Sequence, residues 1–155
     1  MTTLTDLMRL PGTLRRLYAI WAMAFLLTGG TDSAQAQAPK YLLYGGKDQN
    51  VFLGCLNCSR FDSSSIWNQL GPHGSEFDNA TIWSKTGIYG SPYQELSPWH
   101  PHSFEGPEVR DKNGKSYGKF TRNPFDDQTK VESLLWILNN YDYVITNLSA
   151  VRQRY

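Results

Sequence analysis

Two cysteines separated by two residues are the first candidates for chemistry. A Cys-x-x-Cys pair such as Cys55 and Cys58 can be a redox centre, half of a zinc site or a local disulfide. The pair falls at the end of a strand-like run and not at the start of a helix, which disfavours the redox centre. Because the N-terminal residues predict export, we predict a disulfide between the two, at exposed positions, with Asn57 making the turn that it requires.

Two histidines follow at a spacing that could hold a metal ion. His100 and His102, together with Cys55 and Cys58, would complete a tetrahedral zinc site, and these four residues are the metal-binding alternative. The same histidines, with nearby carboxylates, could also serve a small hydrolase as its acid–base groups. His100 aligns with Asn68 in the internal repeat described below, which favours a polar turn contact instead.

No residue is predicted to be catalytic, and no cofactor is predicted. Asp62 and Asp126 could act as the paired carboxylates of a glycosidase. They occupy the same place in two copies of one stretch, however, which favours a structural role. The sequence has no nucleophile elbow, phosphate loop or zinc-protease motif, so a non-enzyme is the favoured class.

Three tryptophans mark an internal repeat of sixteen residues. Its copies read SIWNQLGPHGSEFDNA (65–80), TIWSKTGIYGSPYQEL (81–96) and SPWHPHSFEGP (97–107). Ser65, Thr81 and Ser97 begin the copies, and each is predicted to cap a short helical turn. One copy is too small to bury its own tryptophan, so the copies are predicted to stack around a shared seam of Trp67, Trp83 and Trp99.

Three tyrosines are the candidate binding residues. With the tryptophans assigned to the seam, Tyr89, Tyr93 and Tyr117 are predicted to be exposed, since each combines an apolar ring with a polar tip. Exposed rings of this kind can stack on sugars.

A second duplication flanks the repeat and predicts two related β-hairpins. Residues 52–65 (FLGCLNCSRFDSSS) resemble residues 116–129 (SYGKFTRNPFDDQT), and a glycine turn precedes each. The predicted hairpins pair 40–45 with 51–57 and 107–111 with 115–121. Gly54 and Gly118 interrupt the strands, which predicts a bulge or a close backbone approach.

The C-terminal residues predict one amphipathic helix. Apolar residues at helical spacing place it over 129–140, followed by a strand over 143–146 and a frayed tail over 151–155. The predicted fold class is α+β, with two hairpins flanking the three-copy loop repeat. The single domain would span 37–150.

The first 36 residues are typical of a secretory signal peptide. A basic start precedes the apolar run 17–27, and Ala34-Gln35-Ala36 predicts cleavage after Ala36. The chain has 15 basic and 14 acidic residues, and cleavage would remove three and two of them, which leaves 12 of each. A neutral domain lacks the basic surface that nucleic acids or anionic membranes attract, so neither is predicted as a partner. The predicted location is the bacterial periplasm or the medium.

The FLGCL, Phe-Asp and Ser-Ile-Trp motifs, the Gly-x-x-Gly-Ser repeat and Tyr-Gly-x-Phe-Thr-x-Asn together resemble a group of small secreted bacterial proteins of uncharacterised function. The resemblance runs from Tyr44 to Asn123, and His100-Pro101-His102 departs from its pattern. It implies export from a bacterium and carries over no catalytic residue. We therefore expect an exported module that binds a cell-envelope glycan or protein through its aromatic and glycine-rich repeat face. The alternatives are the small hydrolase and a thiol or zinc protein.

Overall fold

The computed structural model describes residues 38–155. They form a small α+β unit with one four-stranded antiparallel sheet and three short helices. The predicted signal peptide lies outside the described residues. In the described part of the chain, every helix is too short or too polar to cross a membrane.

The sheet joins the two predicted hairpins, which are confirmed. Its strands are β1 (Leu42–Gly45), β2 (Val51–Cys55), β3 (Glu108–Arg110) and β4 (Ser116–Lys119). Their order across the sheet is β2-β1-β3-β4, so the hairpins meet along β1 and β3. Leu43 lies opposite Val109 in this pairing, and both side chains are fully buried.

Gly54 and Gly118 give both hairpins the same irregularity. Their φ angles are +123° and +82°, and the strand register shifts beside each of them. A Cβ atom on Gly54 would lie 2.8 Å from side-chain atoms of Ile66 and His73. The predicted bulge and close approach are therefore confirmed, because only glycine combines this backbone conformation with this lack of bulk.

The chain leaves the two hairpins in the same way. Cys55 at the end of β2 forms a parallel bridge with Ser65, and Lys119 at the end of β4 forms one with Gln128. The second duplication in the sequence is therefore also a duplication of backbone pairing. It fixes where the repeat starts beside the sheet.

Each repeat copy is a series of reverse turns and contains no helix, so the predicted helical turns are wrong. The predicted caps are confirmed at Ser65 and Ser97 but not at Thr81, whose hydroxyl donates to the Ser75 and Asp78 carbonyls. In the first copy the N–H of Asn68 donates to the Ser65 carbonyl at 3.3 Å, and the N–H of Gly71 donates to the Asn68 carbonyl at 3.0 Å. The Ser65 hydroxyl accepts from the Trp67 N–H at 3.1 Å, so it caps a single turn. Glycine and proline recur too often for a helix to continue.

Three helices, and not one, follow the second hairpin. They are α1 (Glu132–Asn139), α2 (Tyr141–Thr146) and α3 (Leu148–Arg152). α1 confirms the predicted helix but begins later than predicted. The strand predicted over 143–146 is wrong, because those residues form most of α2 and bury Val144. The predicted frayed tail is also wrong, because Val151 is buried and Tyr155 packs on a tryptophan.

Candidate functional site

The three repeat tryptophans form a buried column, here called the tryptophan stack. The ring centroids of Trp67 and Trp83 lie 5.2 Å apart, and those of Trp83 and Trp99 lie 5.6 Å apart. The indole nitrogen of Trp83 donates to the Ile66 carbonyl at 2.6 Å, and that of Trp99 donates to the Ile82 carbonyl at 2.5 Å. Trp83 and Trp99 therefore each bond to the copy before them, whereas Trp67 donates to the Leu56 carbonyl at 2.8 Å. The predicted seam is confirmed.

Other aromatic rings cover both ends of the tryptophan stack. Tyr155 stacks on Trp67 with 4.1 Å between ring centroids and an interplanar angle of 10°. At the opposite end, Tyr141 lies 4.8 Å from Trp99. The stack is thus closed, and its rings belong to the core and not to a binding surface.

A second set of aromatic rings recurs at the same spacing and points to solvent. Phe61, Phe77 and Tyr93 each lie six residues before a stack tryptophan and are 80%, 91% and 87% exposed. We call these three residues the exposed aromatic row. Among residues 38–155, no aromatic ring packs against any of the three. The Arg60 guanidinium lies over one face of Phe61, and the opposite face is available to a ligand.

Short turns hold these rings outward. The Ser75 hydroxyl accepts from the Phe77 N–H at 3.1 Å, and one oxygen of Asp78 accepts from the Ala80 N–H at 2.8 Å. Side-chain oxygens thus accept from backbone N–H groups on both sides of Phe77. These bonds fix the turn and keep the Phe77 ring pointing away from the core.

Asp62 plays the same part after Phe61. It accepts from both the N–H and the hydroxyl of Ser64, at 2.9 and 2.7 Å, and it forms an ion pair with Lys40 at 3.1 Å. The bonds from Ser64, followed by that from Lys40, lower the pKa of Asp62 to about 2. The carboxylate therefore has a structural role and is not a proton donor near neutral pH.

The three tyrosines predicted to be exposed lie in different environments. Tyr93 is exposed as expected and belongs to the exposed aromatic row. Tyr89 is only 8% exposed, with its ring beside Gly45, so its predicted exposure is wrong. Burial also raises the pKa of Tyr89. Tyr117 is half-buried against Tyr41, at 5.0 Å between ring centroids, and lines a cleft of about 410 Å³ beside the second hairpin.

Phe61 and Phe77 were not among the predicted binding residues. The signal for them was present in the sequence, since an aromatic residue precedes Asp62, Asp78 and Gln94 at the same position of each turn. Phenylalanine has no polar side-chain atom and is usually buried, so Phe61 and Phe77 were not predicted to be exposed.

Cys55 and Cys58 form the predicted disulfide. Both are buried, however, so the expected exposure is wrong. The aligned Lys119 and Arg122 are half-buried, with the Lys119 ammonium bonded to the Phe104 carbonyl and Asp126, whereas a disulfide is compact and apolar. With its sulfur atoms bonded to each other, the pair offers no thiolate to a metal.

Asn57 makes the turn and also fixes the neighbouring segment. Its side-chain oxygen accepts from the Tyr41 N–H at 2.8 Å, and its side-chain nitrogen donates to the Pro39 carbonyl at 2.8 Å. The side-chain amide thus takes the place of a backbone partner for the start of the first hairpin.

The two histidines make a polar turn contact. The ring nitrogen Nδ1 of His100 accepts from the His102 N–H at 3.1 Å, and Nε2 lies 3.8 Å from a carboxylate oxygen of Glu95. Within the described residues, no group of three or more His, Cys, Asp and Glu side chains could hold a metal ion. In this same part of the chain, no Ser, Thr or Cys side chain donates to His100. His100 and Glu95 therefore lie near each other as a base and a carboxylate, but no nucleophilic side chain of the described residues is hydrogen-bonded to His100.

The chain matches no protein-family model, no curated protein and no solved structure. The exposed aromatic row is accordingly the feature from which we infer function, because its geometry is not explained by folding.

Proposed function

We propose that the protein is an exported binding module without enzymatic activity, which binds a glycan of the bacterial cell envelope through the exposed aromatic row. The observation that carries this proposal is the recurrence of three rings, each at least 80% exposed, at sixteen-residue intervals, six residues before each tryptophan of the stack. Packing accounts for the buried tryptophans. It gives no reason to keep large apolar rings in water, where they forfeit the free energy of burial.

A glycan fits these rings better than a compact ligand. Sugar rings have apolar C–H faces that stack on aromatic rings, and their hydroxyl groups bond to polar side chains at the edges. Phe77 is followed by Asp78 and Asn79, and Tyr93 by Gln94 and Glu95, all of them exposed. Rings that recur every sixteen residues suit a linear polymer with its own repeating unit, whereas the hot spots of protein interfaces cluster at one centre.

An export context is part of the same proposal. The N-terminal signal pattern and the buried Cys55–Cys58 disulfide both suit an oxidising compartment. The protein would act in the periplasm or outside the cell, where envelope glycans are accessible.

Replacing two rings of the exposed aromatic row tests the proposal. We expect Phe77→Ala/Tyr93→Ala to weaken co-sedimentation of the purified protein with isolated cell-wall sacculi by roughly tenfold or more, because each lost stacking contact costs about 0.5–1.5 kcal/mol beyond lost area. Since both side chains are exposed, the thermal unfolding midpoint of the protein should stay unchanged.

Ile88→Ala is the matched control, because Ile88 is an exposed apolar residue outside the row, in the same copy as Tyr93. It should bind like the unmodified protein. Binding that survives the double substitution would contradict the proposed face. Capture of an envelope protein, in place of sacculi, would indicate a protein partner. Solubilisation of sacculi that is lost in His100→Ala would indicate the hydrolase.

A further inference from the structure

The exposed aromatic row ends in a cleft. Phe61, the first ring of the row, also forms one wall of a cleft of about 360 Å³ between the first repeat copy and α3. Its other walls include Arg60, Asn68, Gln69, Leu70 and Arg152. A polymer lying along the row would therefore reach this cleft with one of its units.

The walls of the cleft are positively charged. Two guanidinium groups line it, and no carboxylate does so among the described residues. Arg152 is only 3% exposed. It donates through Nη1 to Glu76 at 2.8 Å and through Nη2 to the Gly74 carbonyl, while Nε has no partner among the described residues. Glu76 offsets this one charge, so the charge of Arg60 remains for a ligand.

Arg60 is placed to receive an acidic group. Its guanidinium carbon lies 4.8 Å from the centroid of the Phe61 ring, and it donates no hydrogen bond to any other described residue. A guanidinium presents two parallel N–H donors that match a carboxylate. Leu70 is 98% exposed and adds an apolar lip to the cleft. The apolar side chains of Phe61 and Leu70 and the planar Arg60 guanidinium thus line the same cleft.

We propose that this cleft binds a carboxylate-bearing sugar, so that the ligand of the row is an acidic glycan. The inference rests on the proposed function. The sugar stacks on the face of Phe61 that Arg60 leaves open, and its carboxylate pairs with Arg60. An acidic peptide would meet the same charge, but it would leave the rest of the row without a stacking partner.

Calorimetric titration with two oligosaccharides tests this inference. One probe is a neutral N-acetylglucosamine oligosaccharide. The other has the same length, with every second sugar replaced by N-acetylmuramic acid, which carries a carboxylate. We expect roughly tenfold tighter binding of the acidic probe, the effect of one hydrogen-bonded charge pair. Added salt should reduce this preference.

Two substitutions of exposed or half-exposed residues should remove the preference without harming the core. Arg60→Gln removes the cation, and Leu70→Glu places a negative charge at the lip. Arg154→Gln is the matched control, since Arg154 is exposed and lies outside the cleft walls. Loss of the preference in the first two variants, but not in the third, would support the inference.

Other outcomes overturn it in distinguishable ways. Equal affinity of the unmodified protein for the two probes would reject the acidic subsite and leave the proposed function intact. A preference that survives both Arg60→Gln and Leu70→Glu would also reject it. Failure to bind either sugar, with binding of an acidic peptide, would reject the subsite and the proposed function together.

Discussion

At the scale of single residues, the indole nitrogens of the tryptophan stack tie each copy to its neighbour. Trp83→Phe would keep an aromatic ring in the stack but leave the Ile66 carbonyl without its donor. We expect the free energy of unfolding to fall by about 2–4 kcal/mol, from the unpaired carbonyl and the lost volume. Urea denaturation measures this change, and Phe77→Leu in the exposed row should change it by less than about 0.5 kcal/mol. Equal effects of the two substitutions would contradict the role of the indole bond.

A second prediction at this scale concerns acid. The pKa of Asp62 is lowered from 3.8 to about 2 in the folded protein. The ionised carboxylate therefore stabilises the fold above its unfolded pKa, and this contribution is lost as the pH falls from about 3.8 towards 2. We expect Asp62→Asn to destabilise the protein near neutral pH and to reduce the loss of stability over that acidic window. The measurement is urea denaturation at several pH values.

Asp142→Asn, at an exposed position of α2, is the control for this acid response. Its pH profile should follow that of the unmodified protein. A titration of the Asp62 carboxyl by NMR that centred near 4 would contradict the assignment of its bonds.

At the scale of elements, the two hairpins depend on glycines in a backbone conformation that other residues rarely adopt. Gly54 and Gly114 both have positive φ, at +123° and +81°, but only Gly54 faces crowded side chains. We expect Gly114→Ala to cost about 1–2 kcal/mol of unfolding free energy from the backbone alone. Gly54→Ala should cost more, because its Cβ would lie 2.8 Å from Ile66 and His73. Equal costs in chemical denaturation would show that the close approach is easily relieved.

The elements also show where local sequence patterns stop being informative. Turn residues and strand glycines specified both hairpins, because a hairpin needs only neighbours in the chain. Val144 and Ile145 are β-branched and favoured a strand, yet they lie in α2. Burial of Val144, together with the contact of Tyr141 with Trp99, outweighs that local preference.

At the scale of the whole molecule, the parts of the site that could be predicted depend on spacing within the repeat. The parts that were missed depend on contacts between residues far apart in the chain. The spacing of the repeat was sufficient to predict the tryptophan stack. Tyr89 and Tyr93 belong to the same copy, and only the packing of the first hairpin beside Gly45 decides which of them is buried. Tyr155 stacks on Trp67 from far along the chain, so no local pattern predicts that contact.

The bonds from Trp83 and Trp99 to the copies before them also bear on how such a protein could evolve. If a duplicated sixteen-residue segment were inserted between two copies, its tryptophan could donate to a carbonyl of the copy before it. Its own carbonyl could accept from the tryptophan of the copy after it. Recombination that changes copy number would therefore lengthen the core without opening a gap in it. Each gained copy would add one solvent-facing ring, so the length of the exposed aromatic row would vary in whole units with gene length.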